Sequence, residues 1–272
     1  MTNKTIMLGV SLAHGAAARD PRTAATPAGE DETPAEDHRV RVGAERREKT
    51  RFRLLKSALT VFSEKGPDGA VIDDFIAAAG VSRGTFYNHF KTTSELLLAL
   101  ATAMSDEVLQ VVDPRVLELD DPVRRFATGT RLYMHTALRY PLWGAFITRV
   151  GTRIATRGQL IDIYLSRDLS LAMKRKRIKI DDVLVGRDIV LGSIFYGIET
   201  MLTEPTHEHH PEQIMRSVLG GLGLESKEAQ TIAFMPLPTL GALTGPIFAS
   251  LKPVIRAGKP APRGQRKTFV RE

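Results

Sequence analysis

Cysteine is absent from this chain of 272 residues. That excludes a disulfide framework, a thiolate zinc site and a cysteine nucleophile, and it fits a reducing compartment. Aromatic residues are scarce, 6% of the chain with a single tryptophan, so any local gathering of rings is informative. No apolar run approaches the ~20 residues that a membrane-spanning helix requires. Near the start, Lys4 and the apolar residues 6–13 faintly imitate a secretory leader, but Gly9 and Ser11 interrupt a stretch that is already short. A cytoplasmic protein with no membrane partner is the expectation. The signatures of common enzyme classes are missing too: no G-x-S-x-G elbow, no phosphate-binding loop and no H-E-x-x-H pair, while "GGLG" near residue 220 follows a helical pattern rather than a strand. We expect neither an enzyme nor a cofactor. His207, His209 and His210 crowd a loop between helical patterns, and adjacent histidines rarely converge on one ion, so no metal site is assigned.

What the chain does have is positive charge, unevenly placed. Its formal net charge is +7 and its pI about 9.7. Residues 1–38 carry a net −3, residues 39–91 a net +5, residues 92–250 a net −1 and residues 251–272 a net +6. Such a distribution suits a polyanionic partner met by the second and last segments. The remaining composition, 43% hydrophobic and 25% charged, is ordinary for a globular protein with one small and one larger domain.

Punctuation divides the chain. Residues 14–38 are rich in Ala, Pro, Thr, Asp and Glu without apolar periodicity and read as disordered. From residue 45 onward Phe52, Leu55, Leu59 and Phe62 recur at helical spacing until Gly66-Pro67. A short second helix is predicted over residues 71–78, ending at Gly80 in the left-handed conformation. Ser82 caps a third over residues 83–89, and "AGVS" is the tight turn between them. Two short helices joined this way and packed on a longer one make a helix-turn-helix. Phe75, Val81, Phe86 and Phe90 serve its small core, which leaves Arg83, Thr85, Tyr87 and His89 to project outward. Arginine pairs bidentately with guanine or holds a phosphate, and hydroxyls donate to phosphate oxygens.

In these residues the sequence resembles a known family. "GVSRGTFYNHF", preceded by "ALTVFSEKG" and "IDDFIAAAG" and followed by "SELLLAL", is similar to the DNA-binding domain of the TetR family of bacterial transcriptional regulators. The resemblance implies an all-α homodimer: an N-terminal three-helix helix-turn-helix domain whose third helix enters the major groove, then a C-terminal helical bundle that binds a small molecule and dimerises. The candidate DNA-facing set is Arg46, Arg47, Ser82, Arg83, Thr85, Tyr87, Asn88, His89 and Lys91. Two departures stand out. Ala70 and Val71 occupy the start of the second helix, where the family usually has Ser or Thr, and Thr93 replaces a common Lys. Asp73 and Asp74 favour the helix dipole there but repel phosphates. Seven basic residues from Arg39 to Arg53 can compensate by lying along the DNA backbone or entering the minor groove.

The expected domains are a disordered tail over residues 1–43, the DNA-binding domain over 44–91, a helical regulatory and dimerisation domain over 92–238, and a basic mobile tail over 239–272. A fourth helix is predicted to stop before Asp113-Pro114. Asp121 caps a fifth that ends before Pro141, and helices follow over residues 142–154, 159–175 and 182–203. Phe126, Tyr133, Met134, Trp143, Phe146, Tyr164 and Phe195 are candidates to line a mostly apolar effector pocket, with His135 or Arg149 orienting the ligand; the alternative at each is plain core packing. Gly186, Val190, Ser193, Gly197 and Met201 form a row of small or apolar positions which, with Ile214 and Val218, resembles the dimerising helices of the family. The alternative is packing within one chain. The implied partners are a double-stranded DNA operator, a small-molecule effector and a second copy of the chain. A regulator controlled by a protein partner and a nonspecific DNA binder stand as alternatives, and the sequence does not separate repression from activation.

Overall fold

Helical segments dominate the chain between its two ends. The computed structural model describes residues 34–254, and among these it contains ten α-helices, two 3-10 turns and no strand. The fold class is therefore all-α. The leader-like stretch and most of the expected N-terminal tail, together with residues 255–272, lie outside the described residues. The chain divides into two units, residues 1–46 and 47–272; the described part of the first is helical throughout, and the second holds everything that follows.

Helix α1 (Pro34–Gly69) leaves helical geometry at Gly66, whose φ of 73° and ψ of 166° lie where glycine is favoured, and Pro67 follows. Helix α2 (Ile72–Ala79) ends at Gly80 with φ 59° and ψ 44°. The Gly80 and Val81 N–H groups then donate to the carbonyls of Ala77 and Ile76, closing the helix as a left-handed glycine cap does. At its start, the hydroxyl that the resemblance leads one to expect is replaced. The Asp74 carboxylate turns back to accept the Val71 N–H at 3.0 Å, while Lys65 sits 2.6 Å away on the other oxygen. Lys65 and that N–H together hold the Asp74 carboxyl below the usual carboxylate range. Helix α3 (Arg83–Tyr87) begins at Ser82, whose Oγ accepts the Thr85 N–H at 3.1 Å.

Four rings hold these helices together. Phe62 of α1 packs on Phe75 at 5.0 Å between centroids, Phe75 on Phe86 at 6.4 Å, and Phe86 on Phe90 at 6.3 Å. All four are essentially buried, each contributing about 1.5–3 kcal/mol of transfer free energy. A head this small has few other means of fixing its interhelical angles.

Helix α4 (Thr93–Leu117), capped by the Thr92 hydroxyl on the Glu95 N–H, runs past its predicted stop. Pro114 lies within it. The ring stands on the exposed side, where water can replace the lost backbone bond, while Val112, Asp113 and Val116 remain buried on the inner side. Helix α5 (Pro122–Arg139) starts where Asp121 accepts the Val123 N–H at 3.1 Å. Helix α6 (Pro141–Val150) is shorter than expected, because Gly151 at φ 56° passes the chain into a 3-10 turn (Gly151–Ala155). Helices α7 (Leu160–Lys174), α8 (Val183–Thr203), α9 (His210–Gly221) and α10 (Ser226–Ala233) complete the bundle. The buried Arg131 of α5 donates to the Ala233 and Met235 carbonyls, satisfying the end of α10.

Residues 239–254, expected from composition to be mobile, pack against the bundle. Leu243, Ile247 and Phe248 are buried apolar side chains, and they supply the driving force that proline and glycine content concealed.

Candidate nucleic-acid interface and apolar cavity

Burial sorts the residues of the helix-turn-helix. Phe86 and Phe90 point inward, at 0% and 4% exposure, whereas Ser82, Arg83, Tyr87, Asn88 and Lys91 are exposed and Thr85 and His89 half-buried. The third helix and the turn that follows it thus expose hydroxyl, guanidinium, amide and ammonium groups. Two of them are already engaged. Ser82 Oγ lies 2.8 Å from Thr85 Oγ1 as well as capping the helix, and Arg83 forms an ion pair with Asp73 between two well-exposed side chains. With Lys65 on Asp74, both carboxylates at the start of α2 carry a cation, which blunts their repulsion of a phosphate.

His89 faces a positive surface. Partial burial, with Arg47 and Arg51 nearby, holds its imidazole below the usual histidine range, so it is neutral at physiological pH. Arg51 lies over the Phe90 ring at 5.6 Å from its centroid, which fixes its stem and leaves its charge at the rim of the head. The Lys91 N–H donates to the Glu95 carboxylate at 2.7 Å, so the turn into α4 is pinned while the Lys91 side chain stays exposed. Arg47 is exposed. Arg46 is an exposed residue of the first unit.

A second feature lies inside the bundle. A cavity of about 50 Å³ is lined by Leu109, Val112 and Val116 of α4, Phe126, Gly129 and Tyr133 of α5, Ile161, Tyr164 and Leu165 of α7, and Ile194 of α8. Its polar wall consists of Asp113, Arg125, Thr130 and Asp168. Arg167 organises that wall. Its two terminal nitrogens donate to Asp113 at 3.1 and 2.8 Å, and it reaches Asp168 at 2.9 and 3.0 Å. Arg125 stands 3.9 Å from Asp168. The hydrogen bonds that Arg167 donates to Asp168 and Asp113 drive its pKa above its ordinary value despite partial burial. Two carboxylates balanced by two guanidiniums give a wall that is polar but neutral overall, which suits an uncharged ligand bearing hydroxyl groups. Arg167 also lies over Tyr164 at 5.3 Å. The buried Tyr133 hydroxyl is 2.7 Å from Ser105 Oγ of α4, and burial pushes its phenol well above the usual range.

Three of the predicted pocket residues, Phe126, Tyr133 and Tyr164, line this cavity; Met134, Trp143, Phe146 and Phe195 are buried elsewhere in the core. Trp143 stacks edge-on against Tyr133 at 4.9 Å, and Phe146 against Phe62 at 5.8 Å. His135 bonds Glu212 at 2.8 Å, and Arg149 pairs with Asp68. The carboxylates of the wall were missed. Their signal was present in the spacing: Asp168 falls on the same face as Ile161, Leu165 and Ala172, a charge at a core-facing position.

The small-residue row of α8 faces its own chain. A Cβ on Gly186 would collide with Ile180, and one on Gly197 with Ile214. Val190, Met201 and Val218 are buried, and Ser193 donates to the Ile189 carbonyl. The opposite side of α8 is apolar and open: Val185 is 53% exposed, Ile189 37% and Tyr196 81%. Beside them Gly192, and on α9 Gly220 and Gly221, would leave an added Cβ in open space.

Comparison with known proteins finds matches for two stretches of the chain. A family description for bacterial regulatory proteins of the tetR family matches residues 54–100, and one for the tetracyclin repressor-like C-terminal domain matches residues 121–234. The HTH-type transcriptional regulator CymR of Pseudomonas putida is 39% identical over 88 residues, 31% of this chain and 43% of that protein. The HTH-type transcriptional repressor AcnR of Corynebacterium glutamicum is 32% identical over 96 residues, 33% of this chain and 51% of that one. The chain therefore matches about half, or less, of the length of these curated relatives. Among solved structures, RolR in complex with resorcinol is similar with a TM-score of 0.64 and 30% identity, over 73% of this chain and all of that one. RolR without ligand is similar with a TM-score of 0.61 and 28% identity, over 70% and 99%. Among the described residues no helix is long and apolar enough to cross a membrane, and no cluster of three or more His, Asp or Glu could hold a metal ion.

Proposed function

Because the chain belongs to the tetR family of bacterial regulatory proteins, we propose that it is an operator-binding repressor that works as a homodimer and is released by a small neutral aromatic effector. The outward surface at α3 carries this reading: Arg83, Thr85 and Tyr87 stand on the helix, Asn88 and His89 follow directly at its end, and Phe86 and Phe90 are turned inward. Arg83 reads guanine or holds a phosphate, and the hydroxyls and Lys91 fix the head on the backbone. Arg47 adds a phosphate contact from α1.

The dimer is formed through the open face of α8, Val185, Ile189 and Tyr196, beside the glycine-lined edge of α9. Removing such large side chains from water supports association. Two heads one helical turn apart, about 34 Å, then read a near-palindromic site.

Effector chemistry follows from the cavity and from the likeness to RolR, which was solved with resorcinol. An aromatic ring fits the apolar lining, and ring hydroxyls donate to Asp113 or Asp168. At about 50 Å³ the cavity is smaller than the roughly 150 Å³ that accepts benzene, so the ligand must displace its walls. Four lining residues, Leu109, Val112, Asp113 and Val116, belong to α4, and the other end of α4 packs Leu96, Leu97 and Leu100 into the buried core. Movement of α4 is the lever from cavity to head, and the ligand shifts the equilibrium by its differential affinity for the two forms. The test is binding to the DNA upstream of the protein's own gene, footprinted and repeated with resorcinol. Symmetric protection lost on adding resorcinol supports the reading. Uniform coating of random DNA would identify a nonspecific binder, and protection unaffected by any small phenol would favour control by a protein partner.

A further inference from the structure

The segment after α10 lies beyond both matched family regions, which end at residue 234, yet it is built into the bundle. The Glu107 carboxylate of α4 accepts two consecutive backbone N–H groups, from Ile247 and Phe248, each at 2.9 Å. Paired N–H donors on one carboxylate are charge-assisted and directional. A Cβ on Gly245 would overlap that carboxylate, so the close approach requires glycine. The Phe248 ring is 1% exposed and sits edge-on to Tyr140 at 5.0 Å and to Trp143 at 5.5 Å. Farther on, the Val254 N–H donates to the Arg139 carbonyl at the end of α5, at 2.8 Å. The segment thus ties α4 to α5 and α6 by a clamp, a plug and a latch.

Its contacts lead to both functional regions. Trp143 stands between Phe248 and Tyr133, a wall of the cavity. One turn along α6, Phe146 packs on Phe62 of the head. Enlarging the cavity by moving Tyr133 presses Trp143 against the plug. Ligand and plug therefore oppose each other.

We propose that residues 240–254 are an intramolecular strap that holds α4 in the small-cavity, operator-binding arrangement and competes with the effector. Its consequence at DNA rests on the function proposed above; its hold on α4 does not. Loosening the strap must weaken operator binding and strengthen effector binding, because the two ligands draw on opposite sides of one equilibrium between arrangements of α4.

The experiment compares the full-length protein with Gly245→Ala, which forces the carboxylate off without removing a buried ring, and with Phe248→Ala. Hydrogen exchange is followed in α4 and in residues 240–254, and affinities are measured for the upstream DNA and for resorcinol. In the unaltered protein the strap amides are protected. In both variants exchange rises in the strap and in α4, operator affinity falls about tenfold, and resorcinol affinity rises about tenfold, within the usual range of such couplings. Unchanged α4 exchange beside a freely exchanging strap overturns the proposal, as does a strap that already exchanges like unfolded chain in the unaltered protein. If the unaltered protein binds neither DNA nor resorcinol, the proposed function fails, while the exchange data still decide whether the strap holds α4.

Discussion

Removing the charge of Asp73 should tighten operator binding. Asp73 pairs with Arg83 across the turn, both side chains being well exposed, at 68% and 61%. An exposed pair of this kind is worth about 0.2–1 kcal/mol. To reach DNA, Arg83 must give up that partner, so the pair opposes binding by its own strength. In Asp73→Asn the opposition disappears, and so does a carboxylate close to the approaching phosphates. The gain is up to about 1 kcal/mol per head, a factor of about five, and two heads on one operator square it. The reciprocal change, Arg83→Ala, removes a contact worth about 1–3 kcal/mol. Offset by the pair it no longer breaks, the net loss is about 1–2 kcal/mol per head. Fluorescence anisotropy on the upstream DNA across a salt series measures both effects. Asp73→Asn should bind more tightly with a steeper salt dependence, and Arg83→Ala more weakly with a slope reduced by about one per contact. Weaker binding by Asp73→Asn, in a protein that retains its helix content, would refute the reasoning.

Three other perturbations probe separate parts of the account. Asp168→Asn should lower resorcinol affinity at least tenfold by isothermal calorimetry while operator binding without ligand persists, since a charge-assisted acceptor is lost from the cavity wall. Tyr196→Asp should convert a dimer to a monomer in sedimentation experiments, because it places a charge in the centre of the exposed α8 face. The Glu212 carboxyl is buried, which raises its pKa, but the hydrogen bond from His135 and the nearby Arg131 outweigh burial and hold it below its ordinary value of 4.5. The stabilisation from this group is complete above that value and is lost as pH falls through the lowered one. Chemical denaturation should show that decline, and His135→Ala, which leaves Glu212 buried without its hydrogen-bond partner, should lower stability at neutral pH and shrink or abolish the decline on acidification.

Much of the fold could be read from the residues themselves. Ser82 and Asp121 each carry the side chain expected to cap a helix, and each does so in the structure. Gly80 closes α2 as a left-handed glycine should. The inward turn of Phe86 and Phe90 followed from helical spacing alone. Where local signals misled, a tertiary contact had prevailed. Pro114 did not end α4, because its ring faces water while the inner side of the helix is buried. Proline and glycine after residue 238 suggested a loose tail, yet Phe248 and Glu107 meet across 141 positions in sequence, a pairing no periodicity announces. The cavity was the least legible part. Aromatic spacing identifies core positions, and only packing decides which of them border a void, so Phe126, Tyr133 and Tyr164 were found together with Met134 and three rings that do not line it. On α8 the glycines marked close packing, but spacing alone left open whether the neighbouring helix belonged to the same chain.

The central claim is that the outward side chains of α3 enter a DNA groove in duplicate, and a hydroxyl-radical footprint on the upstream DNA tests it most directly. The account predicts two protected patches related by a twofold axis, their centres about one helical turn apart, and the loss of both in a protein carrying Tyr87→Ala and Arg83→Ala. One patch, or protection that survives these substitutions, would contradict it.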